Sequence, residues 1–441
     1  MPTLSPRPTT ARVSRGQVWL NALLQAASET VSDGGSAAAP QEASRLEARR
    51  ALANAGLPDR HQEEWRFTPL SLLPTLAPRL LASSSAGDEA AAAALAPPPP
   101  VPPATGSTLR IQLDAPDIHA HVAWPEGIER LEGDALSAVL GAVLTDTGAA
   151  SDWAVALNTA IVPSVLALRV RGAVAPCLEL VSQAGARAGV LPLRVLLLLE
   201  DGASLTLLQA HQADGPSLTS VVMEIALGRE ARLQHGLVAR GADAAGLLAV
   251  TAVRQAAGSQ WSHASLCSGW GLARQEPVVL QREGQADTRL RGLHWLNGSQ
   301  LADTHSRVRF AGPEGSLDQL HKVVADGDSR SVFNGSVQVP REAQRTNAAQ
   351  LSRSLLLSDR ARIDTKPELE IVADDVRCTH GATISRLRDE QLFYLRSRGI
   401  AADQASRLLL RGYCEEVSAE LPAAAGAWNP LSFLNAASHR P

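Results

Sequence analysis

Aromatic side chains are scarce in this chain, at 3% of its 441 residues. That excludes a thick core built around large ring anchors. Burial has to come from Leu, Val, Ile and Ala, a supply that suits thin, regular aliphatic layers. Lysine is rarer still: Lys322 and Lys366 are the only two. We read that as coding bias. The four cysteines, Cys177, Cys267, Cys378 and Cys414, lie far apart and form no CxxC pair. This excludes a zinc-ribbon or thioredoxin-like motif and fits a reducing compartment. No apolar run reaches transmembrane length, and Val195–Leu199 is the strongest. No secretory signal is legible. The first acidic residue is Glu29, after Arg7, Arg12 and Arg15. That start faintly resembles an organelle transit peptide, but a frayed terminus is favoured because a helical pattern opens by Val18. The net charge of −4 gives no sign of nucleic-acid binding. No Gly-rich loop ends in Gly-Lys-Ser/Thr, so nucleotide work would belong to a partner.

What is present falls into segments. Residues 17–57 read as helical. Trp19, Leu20, Leu23 and Leu24 line one face, and Ala43, Leu46 and Ala53 share a second, interrupted by Arg50. In the following EEWRFTPL, Trp65 and Phe67 are placed to pin a loop to the helical layer. Ala82–Gly106 is Ala/Ser-rich and then Pro-rich, the composition of an extended linker. From Leu109 to Thr383 short segments alternate with period two. Strand starts recur near Ala203, Ala231, Ser259, Asp287, Ser316 and Gln344, about 28 residues apart, with one more at Ala361 that comes sooner. Two strands per repeat predict a β-solenoid of about seven coils. A β-sandwich is the alternative, with Asn297-Gly298 and Asn334-Gly335 as its hairpin turns. After Thr383, Arg386–Arg398 and Ala401–Leu421 read as amphipathic helices, the first ending at Gly399, that would cap the solenoid or dock a partner. The division is 1–81 helical, 82–108 linker, 109–385 β-solenoid core and 386–441 helical.

The chemistry gathers in Lys366–Thr383. Cys378 and His380 stand two apart in an alternating segment, so a strand presents both on one face. A thiol beside an imidazole begins a soft-metal or sulfur-handling site, but a closed site needs about four ligands. A thiol also needs a nearby cation to ionise, and Arg377 points to the other face. Asp374 and Asp375 are expected to be solvated turn residues. His211, His235, His263, His294, His305 and His321 are expected to be structural, some stacked between coils. Cys177 and Cys267 read as buried, inert thiols, and Cys414 as a packing residue.

The combination NGSVQVPREAQRTNAAQLSRSLLLSDRARIDTKPELEIVADDVRCTHGAT, followed by LFYLRSRGI, resembles the SufB/SufD family of iron–sulfur cluster assembly proteins. EEWRFTPL is similar to the SufD branch, and the SufB branch would carry additional cysteines. The resemblance implies a mainly β protein: a right-handed parallel β-helix flanked by N-terminal and C-terminal α-helical domains. It implies a non-catalytic scaffold in a SufB–SufC–SufD complex. SufB pairs through the C-terminal part of the β-helix, and ATPase activity resides in SufC, whose dimerisation pulls the paired β-helices apart. Cys378 and His380 look like the family's Cys-x-His positions at the SufB interface. His380 is the better candidate and the metal ligand shared with SufB, with a transient iron or iron–sulfur cluster as the only cofactor. SufC is expected on Leu392–Glu416, through Leu392, Leu395, Leu408, Leu409 and Tyr413. A homodimer is the expected pairing without SufB. The implied compartment is the cytoplasm, or the plastid stroma in a eukaryote. Two rivals stand beside this reading. One is an exported β-helix carbohydrate-active enzyme, which needs clustered Asp with a catalytic Arg or Lys. The other is a purely structural SufC adaptor with Cys378 and His380 idle.

Overall fold

The computed structural model describes residues 14–32, 39–81, 101–103, 107–114 and 122–436. The transit-like start and nearly all of the linker read at 82–108 lie outside them. Two helices open the described chain, α1 (Arg15–Ser32) and α2 (Ala39–Ala55). Eighteen strands then wind into two sheets of nine, with odd and even strands separated from β5 onward. In the first sheet the order is β1 (Thr108–Gln112), β4 (Cys177–Gln183), β6, β8, β10, β12, β14, β16, β18, and in the second β17, β15, β13 (Leu301–Phe310), β11 (Leu272–Gln281), β9 (Gly246–Gln255), β7 (Ser217–Leu227), β5 (Gly189–Leu199), β3 (Leu166–Val170), β2 (Ile128–Arg130). All of these pairs are parallel except β2 with β3. This is a parallel β-helix. The sandwich alternative is overturned: Asn297-Gly298 sits in a turn between strands of different sheets, and Asn334-Gly335 lies inside strand β15 (Arg330–Val339).

The repeat in the sequence is the coil of the structure. The first-sheet strands β6 (Ser204–Gln212), β8 (Arg232–Arg240), β10 (Gln260–Ser268), β12 (Asp287–Leu296), β14 (Ser316–Ala325), β16 (Asn347–Leu356) and β18 (Arg377–Ser385) begin one coil apart. Ser204, Arg232, Gln260, Asp287, Ser316, Asn347 and Arg377 align in one column. The early start at Ala361 belongs to the second-sheet strand β17 (Arg362–Ile371), which is why it broke the spacing. Two residues before six of these strands the backbone turns left-handed, at Gly202, Glu230, Gly258, Gln285, Glu314 and Arg345. An L-residue pays roughly 1 kcal/mol for that conformation. Inter-coil hydrogen bonds offset it, such as Glu230 N–H to the Ala257 carbonyl at 3.0 Å and Arg345 N–H to the Asp375 carbonyl at 2.6 Å.

The interior is aliphatic in the early coils, where Leu178, Leu180, Leu197, Leu205, Leu207 and Met223 are at most 1% exposed or nearly so. Each such side chain contributes roughly 1.5–3 kcal/mol, so no large ring is required. Residues 133–161 depart from the strand pattern expected after Leu109. They hold short helices α3 (Gly133–Ser137) and α4 (Ala142–Thr147) and the longer α5 (Trp153–Ile161). α4 and α5 pack with α1 on the outer face of the second sheet, and Leu136 of α3 packs on Ala167 and Leu196 of that sheet. Asn158 anchors α5 there, its Nδ2 donating to the carbonyls of Leu193 and Ser220 at 3.0 Å each.

Two local expectations are corrected. The buried face of α2 carries Arg45 and Leu52, while Leu46 is exposed. The arginines turn inward because carbonyls await them: Arg49 Nε donates to Ala160 O at 3.0 Å and Arg45 Nη2 to Pro163 O at 2.9 Å. The C-terminal helices α6 (Asp389–Ser397) and α7 (Ala402–Ser418) do not cap the β-helix. Leu410, Cys414 and Val417 of α7 pack along the outer face of the first sheet, against Leu266, Leu293 and Val324 among others. Among the described residues the end of the β-helix is therefore left open. Among the described residues no helix is long and apolar enough to cross a membrane.

Candidate functional site at the open end of the β-helix

Strand β18 closes the first sheet and β17 the second, so each is an edge strand at the same end. Cys378 pairs in register with Ala348 and His380 with Gln350. Ala348 and Gln350 are buried, 2% exposed each, and belong to inward-facing columns. Cys378 and His380 therefore point into the bore, but among the described residues nothing stacks on them from beyond. Cys378 is half-buried against the aliphatic interior and His380 is exposed. They share a face, separated by two residues of strand rise, about 6.6 Å. Arg377 is exposed on the opposite face. Burial pushes the Cys378 thiol pKa up from its ordinary value, only partly countered by a backbone hydrogen bond at Ala348. Burial thus favours the neutral thiol, and a nearby metal or cation would favour its ionisation.

The column ending at His380 runs Leu178, Leu207, His235, His263, Leu290, Gln319, Gln350. It changes from aliphatic to polar as it approaches the open end. Gln350 Nε2 donates to Gln319 Oε1 at 2.9 Å, and Gln319 Nε2 donates to Ser306 Oγ at 2.8 Å. Gln350 Oε1 is buried without a hydrogen-bond partner among the described residues. So is Thr365 Oγ1 on β17. Sequence reasoning missed Gln319 and Gln350, although stacking the repeats at their coil length would have placed both beneath His380.

Among the described residues the edge strands of the rim are unpaired, and exposed apolar side chains stand among the charged ones. Ile371, Val372 and Ile384 are 42%, 54% and 49% exposed. An open sheet edge beside such residues is a template for a second chain. Among the described residues no three His, Cys, Asp or Glu side chains converge on a metal position. Cys378 and His380 offer a soft but incomplete donor set.

The other sequence candidates find structural places. His211, His235, His294 and His321 are at most 2% exposed, His263 is 8% and His305 is 9%. His235 and His263 pack at a tilt across neighbouring coils with ring centroids 4.4 Å apart, and His321 lies over Phe333 at 4.7 Å. Burial lowers the pKa of His211, His263 and His294 to about 4 and of His321 to about 3, and puts His235 well below its ordinary value. Asp374 and Asp375 are exposed in the turn between β17 and β18. Cys267 and Cys414 are buried, and burial raises both thiols, Cys414 to about 12. Cys177 differs from expectation: it is only half-buried, because its strand β4 (Cys177–Gln183) opens beside an outer cluster. Burial and Glu179 still push it to about 11.

EEWRFTPL has a mechanical role. Trp65 packs edge-on against Trp153 at 5.9 Å, and the Arg274 guanidinium lies 3.9 Å over its ring. Arg274 is 1% exposed and bonds Glu276 at 2.6 Å and Asp303 at 2.5 Å. Thr68 Oγ1 donates to the same Asp303. Burial works against the charge on Arg274, but the two carboxylates outweigh it and push its pKa up. Lys366 of the terminal coil bonds Glu63 at 2.8 Å.

On the C-terminal helices, Leu392, Leu395 and Leu409 are half-buried and Leu408 is 51% exposed. Tyr413 turns toward the β-helix, its hydroxyl donating to Arg353 O at 2.7 Å and its ring covering Lys322 Nζ at 4.1 Å. Phe393 and Tyr394, absent from the sequence-based set, are exposed at 73% and 56%.

Comparison with known proteins gives this architecture a family. The family model for the SUF system FeS cluster assembly SufBD core domain matches residues 181–413. The iron–sulfur cluster assembly SufBD family protein slr0076 of Synechocystis is 38% identical over 241 residues, covering 52% of this chain and 53% of that one. The chloroplastic protein ABCI7 of Arabidopsis thaliana is 37% identical over 233 residues, covering 52% and 49%. The iron–sulfur cluster assembly protein SufD of Escherichia coli is 35% identical over 161 residues, covering 36% and 38%. The chain spans about half the length of the first two relatives it matches. A carbohydrate-active enzyme is set aside by these matches. The chain belongs to the SufBD family of iron–sulfur cluster assembly proteins.

Proposed function

We propose that this chain is a SufD-type, non-catalytic scaffold in a SufB–SufC–SufD complex. Its terminal coil pairs edge to edge with that of SufB, and the two chains share a site at which a nascent iron–sulfur cluster forms as cargo. His380 supplies an imidazole ligand and Cys378 a thiol that ionises once the cation arrives. The supporting observation is the open coil: two soft donors on the inner face of an unpaired edge strand, with no third donor converging among the described residues. A site incomplete in one chain and placed at an edge is completed by a second chain.

In the same reading, SufC docks on the helical surface after residue 386, where Leu408 joins Phe393 and Tyr394 in solvent. The divisions 1–81, 82–108, 109–385 and 386–441 then serve as helical layer, linker, β-helix and SufC-binding region. ATP hydrolysis belongs to SufC, and the compartment is the one that houses the complex, cytoplasm or plastid stroma. The test is His380→Ala in the complete complex, with cluster formation followed by absorbance and iron spectroscopy and integrity by gel filtration. Lost assembly in an intact complex supports the reading. Normal assembly supports the adaptor role instead.

A further inference from the structure

The amides beneath His380 are bonded in one direction. Gln319 Nε2 donates across the bore to Ser306 Oγ at 2.8 Å, and Gln350 Nε2 donates to Gln319 Oε1 at 2.9 Å. Each nitrogen is thus spent away from the open end, and each oxygen is left for the next coil. Gln319 Oε1 is used in this way, by Gln350. Gln350 Oε1 is not: it is buried in a residue 2% exposed and accepts no hydrogen bond among the described residues. Leaving a buried carbonyl oxygen without a donor is costly, and folded proteins seldom do so.

Register says which donor belongs there. Gln319 and Gln350 are direct neighbours on parallel strands, and they bond. His380 stands to Gln350 in the same relation, one coil on. Neighbouring strands lie about 4.8 Å apart, so an inward-facing imidazole reaches the free oxygen by turning about its own side-chain bonds. The facing sheet offers no better donor. The Gln350 amide rests against Gly335 of β15, where a Cβ would collide with Nε2. Gly335 is followed in the terminal coil by Pro367, which has no N–H to give. Thr365, whose Oγ1 is also unpartnered, pairs in register with Phe333 instead.

We propose that Gln350 is a positioning residue for His380: its Oε1 accepts one ring N–H, which fixes the tautomer and leaves the other nitrogen bare for the shared site. This role rests on the reading of His380 as a ligand given above. An imidazole that binds a metal commonly gives its second ring N–H to an acceptor. That bond orients the ring and makes the bare nitrogen a better donor.

The experiment has two readouts. In the full chain, isotope-labelled at the histidine nitrogens, long-range proton–nitrogen correlation at about pH 9 reports the tautomer of each neutral ring. His380→Ala identifies the resonance. Gln350→Met keeps the volume and removes the acceptor, and far-UV circular dichroism verifies that it is folded. Its His380 tautomer ratio is expected to differ from the parent's by at least about threefold, the effect of one net hydrogen bond. Gln350→Glu is expected to restore the ratio, because a buried carboxyl stays protonated. Its O–H then replaces the donor to Gln319 and its carbonyl oxygen the acceptor. In the complete complex, verified by gel filtration, Gln350→Met is expected to slow cluster formation about tenfold or more and Gln350→Glu to recover it. The proposal is overturned if the ratio in folded Gln350→Met equals the parent's, or if Gln350→Met forms clusters normally where His380→Ala does not. A loss that Gln350→Glu fails to recover also overturns it, by marking Gln350 as structural. Normal cluster formation by His380→Ala overturns the ligand reading itself, and the role of Gln350 with it.

Discussion

His380 stands in register one coil beyond Gln350, and Gln350 one coil beyond Gln319, so an exposed imidazole terminates a column of buried amides. The amides are chained by a hydrogen bond of 2.9 Å, and the last of them has its Oε1 unpaired. Position and exposure together make His380 separable from the fold. His380→Ala in the isolated chain is expected to shift stability by no more than about 0.5 kcal/mol, as for most exposed positions. Gln350→Ala, which strips a buried hydrogen-bond donor, is expected to lose about 1–2 kcal/mol. Urea unfolding of the two variants distinguishes them. A large loss from His380→Ala would mean that the imidazole is structural after all.

Much of this was legible beforehand because the physics is local. Alternation with period two and turns about 28 residues apart report strand faces and coil length directly, and they put Cys378 and His380 on one face without a structure. The path of α7 was not legible. An apolar stripe such as Leu410, Cys414 and Val417 shows that a helix buries one side, not what it buries it against. The face of α2 was not legible for a related reason. Ala43, Leu46 and Ala53 share a face by spacing, and only the Pro163 carbonyl after α5 explains why Arg45 is buried instead. Gln350 went unnoticed because a lone glutamine carries no chemical signature until the coil above and the coil below are aligned.

Arg274 is the cation on which the N-terminal segment is fastened. Replacing it by Met leaves Asp303 and Glu276 buried without their counter-charge. Removing one member of such a buried group typically costs about 3–5 kcal/mol. Burial, the largest single influence on the Asp303 carboxyl, would then push it up, where Arg274, His305 and Thr68 together now hold it below its ordinary value. Arg274→Met is expected to lower the urea midpoint strongly, and adding Asp303→Asn to recover part of the loss. A double variant no better than the single one would show that lost packing on Trp65, not charge, sets the cost.

Five buried histidines, His211, His235, His263, His294 and His321, predict acid sensitivity. Burial holds His211, His263 and His294 at about 4, His321 at about 3 and His235 well below the ordinary 6.5 of an unfolded chain. Above pH 6.5 neither state binds these protons and the contribution is complete. Below it the unfolded chain takes up protons that the folded chain refuses, so stability falls as pH falls toward 4. The slope is up to about 1.4 kcal/mol per pH unit for each histidine. Asp152, raised to about 6 chiefly by burial, opposes the trend, as do Asp114 and Asp214, which burial also raises. The urea midpoint is expected to drop clearly between pH 7.5 and 5.5, and a flat profile rejects the account.

Lys322 fastens α7 to the β-helix. It is 2% exposed, donates to Tyr413 O at 2.8 Å and pairs with Glu416, whose carboxyl its hydrogen bond holds below the usual range. Glu416 is 48% exposed at its side chain, so water screens part of the pair, and Lys322→Met is expected to lose only about 1–2 kcal/mol. Its sharper effect should be local. With the clamp gone, α7 samples detached states and limited proteolysis after residue 386 speeds up while the coils stay protected. Leu408→Asp provides the contrast, because Leu408 is half in solvent and holds nothing down. It should leave proteolysis unchanged yet abolish co-purification of SufC if that surface is the docking site. If Leu408→Asp retains SufC and Lys322→Met loses it, the β-helix-facing side of α7 carries the contact.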